Sequence, residues 1–206
     1  MFLMEKLITG PMQVNTYLVA DKETGECIVI DPGGNAQAIL NLVEEKNWQV
    51  KKIVLTHGHG DHIGALVQLK ELTQVPVAIH HEDAHMIEDG QRNFTAMMGT
   101  AVEITADELL NDGDEIKLGE SVIKIIHTPG HTQGGICLLA DDMLFSGDTL
   151  FMQSIGRTDL EGGNLFQLLG SIKKKLLVLS ETVRVFPGHG PETNIKMEKM
   201  SNPHLG

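Results

Sequence analysis

Four β-rich apolar runs in this chain end on metal-ligating side chains flanked by glycine or proline: "IVLTHGHGDH" at 53 to 62, "TPGH" ending at His131, "FSGD" at Asp148 and "FPGH" at His189. A strand buries its length and releases polar groups at its ends, so this pattern requires a fold that gathers several strand ends on one rim. "PGH" occurs twice, as expected if the same turn geometry delivers a histidine from matching positions of two halves.

Between those points strand-like and helix-like segments alternate. "FLMEKLI", "NTYLVA" and "ECIVIDPGG" read as a meander of strands, the last closed by Pro32, Gly33 and Gly34. Residues 36 to 46 carry apolar side chains at helical spacing, "KKIVL" returns to a strand, "IGALVQLKEL" is helical, "VPVAI" is a strand and 82 to 87 a short helix. Residues 90 to 112 show no steady period and read as a loop-rich lid or rim over a site. Hairpins follow around Gly119 and Glu120 and around Asp141 and Asp142, then a helix at 164 to 179 and "VRVFP" as a last strand. This order predicts an α/β fold of two packed sheets covered by helices on both outer faces. With 206 residues, 41% hydrophobic content and no low-complexity linker, one domain spanning 1 to 206 is expected.

Composition narrows the function. A net charge of −12, from 28 acidic against 16 basic residues, opposes nucleic-acid binding, and the basic run at 173 to 175 reads as the solvated face of an amphipathic helix. No apolar run approaches the roughly 20 residues of a membrane span and no charged-then-apolar leader opens the chain, so a cytoplasmic protein with no membrane partner is expected. Cys27 and Cys137 sit in apolar strand-like segments and read as packed thiols, neither a disulfide nor a nucleophile.

In an extended segment, residues two apart share a face, so His57, His59 and Asp61 are expected together with His62 turned elsewhere. Gly58 and Gly60 let the backbone turn tightly between ligands without Cβ clashes. Adding His131, Asp148 and His189 gives seven ligand-type residues, more than one tetrahedral ion needs, which predicts two metals sharing a carboxylate with positions open to water. His80, His81, His85, His127 and His204 occupy no such position and read as ordinary side chains.

"THGHGDH" together with His131, Asp148 and His189 resembles the metallo-β-lactamase superfamily over almost the whole chain. The resemblance implies a four-layer αβ/βα sandwich of two mixed sheets flanked by helices. It also implies that His57, His59 and His131 hold a first metal, Asp61, His62 and His189 a second, and that Asp148 bridges them. Asp31, in "VIDPGG", would orient ligands from beneath the site. Arg157, in "SIGRTDL", would line the substrate pocket, either binding an anion or forming a structural ion pair.

"GDTLFMQSIGRTDL" and "FPGHGPETNIKMEKMSNPHL" resemble the glyoxalase II (hydroxyacylglutathione hydrolase) group, most of all its short single-domain bacterial members. That likeness implies hydrolysis of S-D-lactoylglutathione or a related small-molecule acyl thioester, with no protein nucleophile: a hydroxide bridging two divalent ions, zinc with iron or manganese as alternatives, would attack the carbonyl. Two departures stand out. Only residues 190 to 206 follow His189 in place of a C-terminal helical glutathione-binding domain, and the family's pocket lysine and tyrosine give way to Arg157 and Asp159. A persulfide dioxygenase with one iron shares "THGHGDH" and a "GRTD" segment and is the alternative enzyme, and a metal-binding domain without catalysis is the third reading. The oligomeric state is left open.

Overall fold

Strand β2 (Val14–Asp21) is buried along its whole length, so both of its faces must be covered. In the computed structural model, which describes all 206 residues, that demand is met by a second sheet on one side and helices on the other. The first sheet runs in the order β1 (Phe2–Thr9), β2, β3 (Glu26–Ile30), β4 (Gln49–Val54), β5 (Val77–His80) and β6 (Glu108–Leu110). It is antiparallel from β1 to β3 and parallel from β3 to β6.

The second sheet is built from β7 (Glu115–Leu118), β8 (Ser121–His127), β9 (Ile136–Ala140), β10 (Met143–Gly147), β13 (Arg184–Pro187) and β14 (Thr193–Asn194), adjacent in that order. Only β10 and β13 pair in parallel. A small hairpin, β11 (Leu150–Phe151) with β12 (Ser154–Ile155), lies between them in sequence.

Period-two alternation sorts the core. Tyr17, Val19, Ile28 and Ile30 face inward onto Ile125, Leu138, Phe145 and Phe186 of the second sheet. The intervening Leu18, Val29 and Ile53 face outward against Ile39 and Val43 of α1 (Ala36–Glu45) and Leu66 and Leu69 of α2 (Leu66–Thr73). On the opposite outer face, Cys137, Leu144 and Val185 meet Leu168 of α5 (Leu165–Ser171) and Ile172 and Leu176 of the π-helical turn that continues it. The result is the four-layer sandwich of two mixed sheets and flanking helices.

Several expectations change in detail. The helix read over 164 to 179 is α5 followed by a π-helical turn ending at Leu176. "VRVFP" does not supply the last strand, because β14 and α6 (Ile195–Ser201) follow it. The short helix expected at 82 to 87 is α3 (Ala84–Ile87), and residues 90 to 112 hold two short elements, α4 (Thr95–Met98) and β6, rather than loop alone. Both cysteines are free and buried, and burial pushes their thiols up to about 12 for Cys27 and about 11 for Cys137. No helix is long and apolar enough to cross a membrane.

Strands β3, β4, β5, β10 and β13 are followed within three residues by Asp31, His57, Asp83, Asp148 and His189. Ligand-type residues therefore come from the rims of both sheets, not from one sheet alone.

Candidate metal centre

The loop after β4 bends at Thr56 and His57, is extended at His59 (φ −72°, ψ 147°) and then closes into a single 3-10 turn, Gly60–His62. The expected shared face therefore holds for His57 and His59 and fails for Asp61, which the turn carries round to 3.7 Å from His62 Nε2. Close approach explains the two glycines: a Cβ on Gly58 would lie 2.6 Å from Met86 Cβ, and one on Gly60 2.6 Å from the Asn93 carbonyl.

Three imidazoles form the first cluster. The rings of His57, His59 and His131 stand 4.7 to 4.8 Å apart, edge to face at 78 to 86°, and His59 Nδ1 faces His131 Nε2 at 3.0 Å. Each remaining nitrogen is set by its neighbour. The Thr56 hydroxyl donates to Asp31 Oδ2 at 2.6 Å, so at 3.1 Å from Thr56 Oγ1 it is His57 Nδ1 that donates, leaving Nε2 with its lone pair. His131 Nδ1 donates to the Arg157 carbonyl at 2.8 Å, which leaves Nε2 for the cluster.

The second cluster joins Asp61, His62 and His189, with His189 Nε2 donating to Asp61 Oδ2 at 3.1 Å. Asp148 spans both clusters: Oδ1 is 3.4 Å from His62 Nε2, and Oδ2 is 3.8 Å from both His131 Nε2 and His189 Nε2. His57 Nε2, His59 Nε2, His62 Nε2 and Asp148 Oδ1 are buried with no hydrogen-bond partner. Four orphaned polar atoms in one small volume are costly unless a cation satisfies them, so the residues present fit divalent metal.

The electrostatics agree. Burial, reinforced by neighbouring imidazoles, pushes His57 far down and His59 down to about 3, so both keep lone pairs at neutral pH. In the second cluster burial is outweighed: Asp148 and Asp31 raise His62 well above the usual imidazole range, and the hydrogen bond to Asp61 raises His189. Asp61 and Asp148 are lowered in spite of burial, by His189 and by His62 respectively. The carboxylates draw positive charge to this spot.

Asp31 is buried at a left-handed φ of 50°. It accepts from Thr56 N at 2.7 Å, from Thr56 Oγ1, and from His62 Nδ1 at 2.9 Å. Asp83, which the sequence reading passed over, does comparable work between loops. Fully buried, it accepts from Gly134 N at 2.6 Å, Thr132 Oγ1 at 2.7 Å and Gly58 N at 3.2 Å, tying the His57 loop to the His131 loop.

The Arg157 guanidinium makes two hydrogen bonds to the carboxylate of Asp159, at 2.7 and 2.8 Å, with both side chains exposed. The ion-pair alternative thus describes its resting contacts, and its backbone carbonyl is what touches the cluster. The histidines read as ordinary divide. His80 and His127 come together with Glu82, but their rings stack in parallel at 3.9 Å and 15°, unlike the edge-to-face trio, and His127 Nε2 donates to the Gln133 carbonyl. Above the two clusters a cleft of about 330 Å³ is lined by Met12, Phe94, Met97, Met98, Leu160 and Arg157.

A family model described as "Metallo-beta-lactamase superfamily" matches residues 9 to 189. The chain is similar to the probable metallo-hydrolase YqgX of Bacillus subtilis, 38% identical over 97% of this chain and 96% of that one. It is also similar to the hydroxyacylglutathione hydrolase GloC of Haemophilus influenzae, 37% identical over 94% and 93%. Among solved structures it resembles BLEG-1 B3 metallo-beta-lactamase (TM-score 0.92, 36% identity, 98% and 99% covered). It also resembles TTHA1623 in a di-iron-bound form (0.87, 34%, 98% and 100%) and ETHE1 from Myxococcus xanthus (0.82, 31%, 98% and 83%).

Proposed function

Because the chain belongs to the metallo-beta-lactamase superfamily, we propose that it is a metal-dependent hydrolase of acyl thioesters, with S-D-lactoylglutathione as the reference substrate. The observation that carries this reading is the pair of three-residue clusters spanned by Asp148 on the floor of an open cleft. His57, His59 and His131 would hold one divalent ion and Asp61, His62 and His189 a second, with Asp148 facing both. Zinc is the first choice, and iron or manganese also suit this set of imidazoles and carboxylates. Ions bound there would supply Lewis acidity and an acidified water at neutral pH.

The rest falls to the chain. Neutral His57 and His59 present lone pairs without first losing a proton. Asp31 and the Arg157 carbonyl hold His62 and His131 in the required tautomers. In the reaction the acyl C–S bond breaks and a C–O bond to the oxygen of water forms, giving a carboxylate and a thiol. Because a thiolate leaves readily, no side chain has to protonate it. Similarity to GloC over nearly the full length of both chains supports the thioester as substrate, and two unpaired buried thiols suit a cytoplasmic setting.

The test is hydrolysis of S-D-lactoylglutathione and simple acyl thioesters by protein loaded separately with zinc, iron or manganese, followed as thiol release. Turnover that a chelator removes and metal restores is the expected result. Metal-replete protein inert toward the whole panel would overturn the proposal in favour of a metal-binding domain. One iron per chain with oxygen uptake on glutathione persulfide, and no thioester turnover, would assign it to the dioxygenases.

A further inference from the structure

The walls of the cleft differ in kind from its floor. Met12, Met97 and Met98 are 53%, 74% and 48% exposed and line it together with Phe94 and Leu160. Methionines kept in solvent at the mouth of a polar site are a flexible, polarisable surface for apolar groups. Arginine and lysine are scarce by comparison: Arg157 is the one such side chain lining the cleft, and Asp159 already holds two donors of its guanidinium.

Phe94 adds an independent observation. Its φ of 69° is in the left-handed region, where a bulky side chain is a genuine outlier. The neighbouring Asn93 enforces that conformation, donating to the carbonyls of Met86 and Val102 and accepting from Thr95 N and Thr95 Oγ1. The Asn93 carbonyl also accepts from Gly60 N at 2.7 Å, so the same segment is anchored to the 3-10 turn of the centre. The outcome is an aromatic ring held 5.6 Å from the His59 ring, at the mouth of the cleft instead of in the core. Strain maintained by so many hydrogen bonds points to a function for the ring's position.

We infer that the acyl group this cleft accepts is a hydrocarbon chain seated on Phe94, Met97 and Met98, carried on a thiol without clustered negative charge. Glutathione brings two carboxylates to a mouth that offers no free guanidinium or ammonium group to pair with them, because Asp159 already holds Arg157. A neutral thiol carrier with a short to medium alkyl chain meets apolar surface along its length, in a cavity at the lower end of the range for small-molecule sites. The inference takes the reactive thioester from the proposed function and adds the chemistry of its flank.

Two measurements separate the two. First, S-alkyl-N-acetylcysteamine thioethers from methyl to hexyl, which no hydrolase can cleave, are titrated into the metal-loaded protein. Affinity is expected to rise about fourfold per methylene. Phe94→Asn, which suits the left-handed backbone, and the exposed pair Met97→Ser with Met98→Ser should each remove most of that gain at unchanged metal content. Affinity flat in chain length overturns the inference. Second, kcat/KM is compared for acetyl- and hexanoyl-N-acetylcysteamine and S-D-lactoylglutathione, with hexanoyl expected to lead by about tenfold or more. Lactoylglutathione leading by that margin overturns the inference and leaves the hydrolase reading standing. Chain-dependent thioether binding without cleavage of any thioester does the reverse.

Discussion

His131 donates from Nδ1 to the main-chain carbonyl of Arg157, 2.8 Å away, so the group that orients this histidine belongs to the backbone and not to the guanidinium. Arg157→Ala should therefore keep full metal content and act mainly on KM, by less than about tenfold. Metal analysis beside steady-state kinetics checks this, and loss of metal in the variant would contradict it.

His59→Ala and Asp148→Ala attack the clusters themselves. Each removes a group that faces at least one neighbouring ligand-type side chain, and each should lower bound metal and cut thioester turnover by more than about tenfold. Normal loading with normal turnover in either variant would defeat the site assignment.

Asp31→Asn keeps the side-chain volume but replaces with an amide the carboxylate that accepts from His62 Nδ1 and both Thr56 donors. Metal affinity measured by chelator competition should fall by about 10- to 100-fold. The overall fold, followed by circular dichroism, should persist.

Asp83→Asn leaves a buried amide facing three donors where a carboxylate accepted from all of them. At least one donor loses its acceptor, so unfolding in urea should show a loss of about 1 to 3 kcal/mol. Because the two loops it joins carry His57, His59 and His131, metal affinity should fall alongside stability.

A pH dependence separate from the metal centre arises at His80. Burial, then His127 and His81, and to a smaller degree Lys175, hold it down to about 4, with Asp112 opposing. Between pH 6.5 and 4 the unfolded chain binds the proton and the folded chain does not, so stability falls as pH drops through that window. In metal-stripped protein, His80→Gln should flatten the fall in urea midpoint from pH 7 to pH 5. An unchanged slope would show that the stacked imidazoles do not matter there.

Much of the centre was legible because glycine and proline punctuate the strand ends that deliver it. His57, His59, Asp61, His131, Asp148 and His189 each adjoin a glycine, with His62 next to Asp61, and the structure gathers them from the rims of both sheets. Asp83 left no such mark. Two of its three partners are backbone N–H groups, which no side-chain pattern records, and they lie 25 and 51 residues away. The 3-10 turn that moved Asp61 was equally hidden, since three residues are too few to show a period. For the same reason β6, β11, β12 and β14 escaped the alternation of short strands. Phe94 was obscured by the irregular composition of 90 to 112, and α6 announced itself only through Asn194, whose side chain caps Met197 N at 2.8 Å.

The two rims contribute unequal but complementary halves of the centre: Asp31, His57, His59, Asp61 and His62 from the first sheet, His131, Asp148 and His189 from the second. An ion seated among them is thus a rivet through both plates of the sandwich, and its binding free energy also resists their separation. Withdrawing it with a chelator would loosen the seam between the sheets as well as silence the cleft.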